Sequence, residues 1–449
     1  GQRYTPYFTF HGFRYFDVEG EHDAVEGVCI HADVKKTGFF ECSDEVLNFI
    51  VSGFEWALTS NLHGGVPSDC PHRERLGYTG DGQVSAEAAM CLFDMEAFYR
   101  KWLQDIWDCQ CQKTGHVQHT APFYGGGGGP GGWGCSAVLL PWRLYWQTGS
   151  PRVLEESFDS MKRWLIYLKN HCENHLVVRE EEGGWCLGDW GLLNNEVRIP
   201  ESYVNSCFYL ICLTILEKVC ALLQRDFPAE LAGESKAVKE AILEAFLQPN
   251  GSFAGGEQGA NAFALAAGIA DESAFSNLLA HYQSLGRLDT GIFATPFLLE
   301  ALGQHGQAEL GVQMLRSRGF GTYGSMMEQG ATTLWEWPNG VDSHNHHMMG
   351  SPVAFLFRYV LGIRAQQPGY SSVIIEPCFT SRLDFAKGSV LTPRGTIGVE
   401  WQRKGDHILC TVKVPHNCQA VYRANGRERP LQGGITHLIE PQTPAVDPV

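Results

Sequence analysis

What this sequence does without narrows its function before any motif is read. It has no Lys/Arg-rich run, and 34 Lys+Arg stand against 50 Asp+Glu for a formal net charge of −16. Such a chain is a poor partner for a nucleic-acid backbone or an anionic membrane surface, and neither is expected. No apolar run of about 18 residues is read, so no membrane span is expected. The opening GQRYTPYFTF lacks a charged region followed by an apolar stretch, so no signal peptide is visible, and the native N-terminus is expected to lie elsewhere. The 15 Cys are odd in number and lack C-x-x-C spacing, which argues against a cysteine zinc site and a disulfide framework. Unpaired thiols in that number favour a reducing, cytoplasmic setting. No G-x-S-x-G elbow, P-loop or H-E-x-x-H competes for the chemistry. The Gly run at 125–129 lacks the strand-then-helix setting of a dinucleotide fingerprint. Neither a cofactor nor a metal is expected.

What is abundant is aromatic. The 12 Trp, 15 Tyr and 25 Phe lie largely beside Gly or acidic residues, a pattern that suits stacking on sugar faces. Residues 4–40 alternate apolar and polar with β-favouring types and read as short strands of a small N-terminal β domain, over 1–42. From Ser43 and Asp44, a plausible N-cap, the period becomes helical. Helices are expected near 45–60, 84–107, 137–148, 153–171, 201–224, 235–246, 259–268, 272–284, 294–304, 307–316 and 350–361. Loops rich in Gly, Pro and aromatics separate them, at 119–134, 183–193 and 332–350. Beyond Pro368 the period returns to two. This order predicts an (α/α)6 toroid over 43–365, with its loops forming one mouth, and a C-terminal β-sandwich over 366–449.

Two constellations could carry chemistry. SDCPHRERLGYTGDGQ at 68–83 packs Asp69, Arg73, Glu74, Arg75 and Asp81 into a Pro/Gly segment with His72 and Tyr78. A solvated loop that pairs its own charges is the plain alternative, but Leu76 and Tyr78 argue that the segment folds inward. A partly desolvated carboxyl among other acids titrates high, as a general acid must. The second stretch, 327–350, sets Glu336 between Trp335 and Trp337, followed by Asp342, His344, His346 and His347. A buried Glu beside two indoles must be paired or functional. H-N-H-H has neither helical ligand spacing nor a Cys partner, so hydrogen bonding to hydroxyls is the simpler reading of these His. Two acidic sites among Trp, Tyr, His and Arg suit glycoside hydrolysis, in which one carboxyl protonates the leaving oxygen and the other activates water or attacks.

DCPHRERLGYTGD at 69–81 resembles the D-C-P-x-R-E-R-L-G-W-T-G-D signature of the bacterial α-L-rhamnosidases of glycoside hydrolase family 78. GATTLWEW at 330–337 and NHHMMGS at 345–351 are similar to two further family segments, and the likeness runs through nearly the whole chain. The resemblance implies an (α/α)6 barrel flanked by β domains and an inverting, exo-acting hydrolase of terminal α-L-rhamnose. It implies Glu74 as general acid and Glu336 as general base. Asp69, Arg73, Tyr78, Asp81, Trp133, Asp189, Trp190, Trp335 and His346 are the expected substrate-binding set.

Three departures stand out. Tyr78 replaces a Trp, the loop from Glu336 to His346 is short, and two acids expected around the Gly/Trp loop are missing, with Cys135 and Ser136 following Gly134. A site with fewer negative charges accepts an anionic neighbour more readily, so rhamnose linked to an acidic or bulky glycan is the expected substrate. His116, His119 and Arg73 are the candidates to meet that charge, with a structural role in their loop as the plain alternative for the two His.

Overall fold

The computed structural model describes residues 2–180, 184–193 and 196–442. Gly183, which opens the second expected loop, and residues 443–449 of the expected β-sandwich lie outside them. The barrel starts where the N-cap was expected: the Asp44 carboxylate accepts the N–H groups of Val46 and Leu47 at the head of α1 (Glu45–Thr59). The helices that follow are α2 (Thr79–Leu92), α3 (Glu96–Cys109), α4 (Ser136–Thr148), α5 (Arg152–Asn170), α6 (Glu201–Leu223) and α7 (Glu234–Phe246). Then come α8 (Ala260–Ala266), α9 (Glu272–Leu285), α10 (Ala294–Gln304), α11 (Ala308–Leu315), α12 (Tyr323–Glu328) and α13 (Pro352–Phe355).

Helices α2, α4, α6, α8, α10 and α13 touch in that order and α13 returns to α2, which closes an inner ring. Helices α1, α3, α5, α7, α9 and α11 pack around it. Burial follows the layers. The inner α2 is buried on nearly every side, whereas the outer α3 buries one stripe of Phe98, Tyr99, Trp102, Leu103 and Ile106. By length and composition α6 is apolar enough to cross a membrane; its place in the ring between α4 and α8 gives that surface a protein partner.

The expected helix at 84–107 is two helices, and the first begins earlier. A Cβ on Gly80 would stand 2.6 Å from Trp133 Nε1, and one on Gly82 would stand 2.1 Å from the Trp102 ring. These glycines serve close packing inside a helix, although in sequence they read as loop. Phe93 is extended and bridges Lys36, which separates α2 from α3.

Two short hairpins, β2 (Leu62–His63) with β3 (Val66–Pro67) and β4 (Cys172–Glu173) with β5 (Leu176–Val177), decorate the loops. The C-terminal strands are β6 (Ile363–Ala365), β7 (Ser372–Ile375), β8 (Phe385–Thr392), β9 (Gly395–Lys404), β10 (His407–Val414), β11 (Gln419–Ala424), β12 (Arg427–Leu431) and β13 (Gly434–Pro441). Together with β1 (Phe39–Cys42) they form two sheets, ordered β1-β8-β9-β10-β13 and β12-β11-β7-β6. The leading strand β1 is therefore an edge of the C-terminal sheet, and β6, within the range expected for the barrel, is an edge of the second sheet. Apart from the bridge at Lys36, residues 2–38 hold no strand, because their alternating sequence lies beside no strand of the described residues that would complete a ladder.

Candidate active site

The acidic loop is held at its base and open at its tip. Asp69 N–H donates to Leu76 O at 2.9 Å, and the Asp69 carboxylate accepts Leu76 N–H at 2.8 Å. This double clamp throws Arg73 and Glu74 outward, each with 39% of its side chain exposed. Asp69 itself stays buried at the base.

The second constellation meets that tip. Arg73 Nη2 donates to Glu336 Oε2 at 2.9 Å and lies 3.5 Å from Glu74 Oε1, while Nη1 reaches Asp342 at 3.3 Å. One guanidinium thus gathers three carboxylates from loops more than 250 positions apart. Glu336 is fixed by its own turn: its N–H donates to Ser343 O at 2.8 Å, and Ser343 N–H reaches back to its carboxylate at 3.3 Å. Burial raises the Glu336 titration above the ordinary range, against Ser343 and Arg73, which favour the charged form.

Behind this junction lies a buried polar floor. His346 Nε2 lies 3.6 Å from Asp69 and 3.9 Å from Glu336. Burial pushes Asp69 up to about 6 and Asp81, in the first turn of α2, well above the ordinary carboxylate range. Burial holds His346 well below its usual value, so its imidazole is neutral. Asp69 Oδ2, His346 Nδ1 and Trp337 Nε1 are buried with no hydrogen-bond partner among the described residues. His347 is structural: it takes Ser85 of α2 at 2.7 Å and Ser68 O at 2.9 Å, locking the acidic loop to the ring.

Aromatic residues wall the site. Tyr78 caps α2 beside Glu74, whose charge adds to burial in raising the phenol's titration. A Cβ on Gly126 would stand 2.9 Å from Tyr78 Oη, and one on Gly128 2.7 Å from the Trp133 ring, so the Gly run is an ordered loop pressed against both. Trp133 sits buried on the turn Pro130–Gly134, edge-on to Phe293 at 4.9 Å. Trp190 meets Trp337 at 5.0 Å, beside the Glu336 backbone.

Three sets of expected site residues meet other partners within the protein. Asp189 was expected to bind substrate, but its carboxylate is filled by the N–H groups of Trp190, Gly291, Phe293 and Ala294, at the head of α10. A carboxylate has about four acceptor positions, so none is left for a sugar. Burial pushes this acid up to about 7 even against those donors. Trp335 stacks on His344 at 4.1 Å and braces the loop, and its neighbour Trp337 is the indole that faces Trp190. His116 and His119 were candidates to meet an anionic substrate, or else structural residues of their loop. Both instead face Glu180, at 3.4 and 2.9 Å, and that carboxylate is 2% exposed. Asp342 and Glu180 escaped the sequence reading as partners; only proximity across distant loops reveals them.

A closed double ring of helices whose mouth gathers paired carboxylates among indoles is the arrangement of a six-hairpin glycosidase domain. The profile of the bacterial alpha-L-rhamnosidase 6 hairpin glycosidase domain matches residues 35–360, and that of the bacterial alpha-L-rhamnosidase C-terminal domain matches 362–431. The chain belongs to the bacterial α-L-rhamnosidase family. It is 30% identical to an alpha-L-rhamnosidase of Formosa agariphila, over 93% of this chain and 48% of that protein. The figures for an alpha-L-rhamnosidase of an Alteromonas species are 30%, 93% and 49%. Among solved structures, the Streptomyces avermitilis alpha-L-rhamnosidase complexed with L-rhamnose superposes with a TM-score of 0.83 at 26% identity, covering 91% of this chain and 42% of that one. The chain thus spans about half the length of the curated relatives it matches.

Proposed function

We propose that this chain is the catalytic part of an inverting, exo-acting α-L-rhamnosidase that removes terminal α-L-rhamnose from a glycan or glycoside. The observation that carries the reading is the junction at Arg73, which brings Glu74 and Glu336 to one mouth above a floor of unpartnered polar atoms. Glu74, on the exposed tip, protonates the glycosidic oxygen as the bond breaks. Glu336 takes a proton from the water that attacks the anomeric carbon, and its raised titration makes it a stronger base for that step. Asp69, Asp81, Arg73 and His346 receive the sugar hydroxyls; Tyr78, Trp133 and Trp190 form the walls, with Trp337 added to the expected set.

The geometry sets one requirement on this mechanism. Inverting pairs hold their carboxyl groups roughly 6.5–9.5 Å apart to seat the water. The two oxygens that meet Arg73 Nη2 at 3.5 and 2.9 Å can stand no more than 6.4 Å apart, below that range. Seating a water therefore requires Glu74 to turn outward as the sugar enters, which its exposed position permits. A second reading, another terminal deoxysugar in the same machinery, draws on the missing acids around the Gly/Trp loop. Hydrolysis of a panel of aryl glycosides followed by NMR tests both: release of β-L-rhamnose from the α-linked rhamnoside is expected. Retained configuration overturns the inverting mechanism, faster turnover of a different sugar overturns the substrate, and no hydrolysis leaves a binding protein.

A further inference from the structure

We propose that His116, His119 and Glu180 form a site for one divalent transition-metal ion, zinc first among them, separate from the carboxylates at the mouth. His116 and His119 lie in the loop after α3, and Glu180 follows β5. One ligand atom from each residue falls within 4.8 Å of the other two. All three side chains are almost enclosed, with 11%, 10% and 2% exposed. His119 Nε2 comes within 2.9 Å of Glu180 Oε2, and His116 Nε2 within 3.4 Å of Glu180 Oε1. Both His119 Nε2 and Glu180 Oε1 are buried with no hydrogen-bond partner among the described residues. Buried polar atoms are rarely left so, and two of them converging with a second imidazole make a donor set that a cation completes. Two imidazoles and a carboxylate are a donor set that zinc accepts.

The place of the site gives the ion a task. His119 O accepts the N–H of Thr79 at 2.8 Å and its hydroxyl at 3.1 Å, in the first turn of α2. A Cβ on Gly128 would stand 2.9 Å from the His119 ring. An ion on His119 therefore ties the end of the acidic loop, the Gly-rich loop and the segment after β5 into one unit. It braces the mouth and takes no part in bond cleavage.

The test compares the full chain with Glu180→Gln and His119→Gln after chelation and dialysis against zinc chloride. Metal content and calorimetric titration are expected to give about one zinc per chain. Each variant should bind it at least about tenfold more weakly. Cobalt(II) in the unaltered chain should give a visible ligand-field band without thiolate charge transfer, which keeps the test decisive should a variant fail to fold. No retained zinc, equal affinity in the folded variants, or a thiolate band would overturn the proposal; the first leaves an ionic brace only, and the last places the metal on cysteine.

Discussion

Two buried acids, on loops that meet through Trp190 and Trp337, have opposite fates. Asp189 has every acceptor position taken by backbone N–H groups. Glu336 keeps one backbone donor and one guanidinium, and it opens on the junction with Glu74. Both stand beside tryptophans in loops rich in Gly, and both titrate high through burial. What separates them is unspent hydrogen-bonding capacity. A carboxylate saturated by the protein organises the chain around it, and one left partly unsatisfied can do work on a substrate.

That contrast breaks most sharply at Glu336. Glu336→Gln should lower kcat by roughly 10³–10⁴ on every substrate while the melting temperature hardly moves; unchanged turnover would remove it from the mechanism. Glu74→Gln should lose roughly 10²–10³ on rhamnosides with poor leaving groups and much less on activated aryl rhamnosides, which need little protonation. Equal losses on both would deny it the acid's role. Asp189→Asn reverses the pattern: stranding a buried donor should cost about 1–3 kcal/mol in a denaturant titration, with kcat/KM of the folded fraction changed less than about tenfold. A catalytic loss without a stability loss would restore Asp189 to the substrate.

The smallest effect concerns Asp69, raised from an ordinary 3.8 to about 6 by burial. Its folded form binds a proton more tightly than its unfolded form does. Its contribution to stability is therefore fully present below the ordinary value and is lost as pH rises through about 6. Asp69→Asn should flatten the stability profile across that interval, and an unchanged slope would assign the effect elsewhere. In the parent protein kcat/KM should fall as pH drops below about 6, since a protonated Asp69 is a poorer acceptor for sugar hydroxyls.

Periodicity made the barrel legible. Helical spacing after Asp44 and the return to period two near Pro368 mark the layers, because a helix in the ring and a strand in the sandwich each bury one predictable face. Gly80 and Gly82 hid the start of α2, since in one sequence a glycine required by a packed indole reads like a glycine required by a turn. The proposed site was legible as motifs: Asp69, Arg73, Glu74, Asp81, Glu336 and His346 all fall in the two stretches singled out. Orientation was not. Nothing in L-W-E-W says which indole turns toward Trp190, and nothing near His119 announces Glu180, because both are decided by contacts between distant loops.

The strand Phe39–Cys42 carries a consequence for how the chain holds together. Phe39 pairs with Ser389 and Cys42 with Ala386, so one ladder joins residues on either side of the whole ring. Ser43 adds a latch, its hydroxyl accepting Asp384 N–H at 2.8 Å. The sheet cannot gain this edge until the ring between has been traversed, which places the pairing among the most non-local and slowest contacts to form. Once made, it clasps the ring like the two ends of a belt, and a cut between ring and sheet would leave Phe39–Cys42 as an orphaned edge open to pairing with another chain.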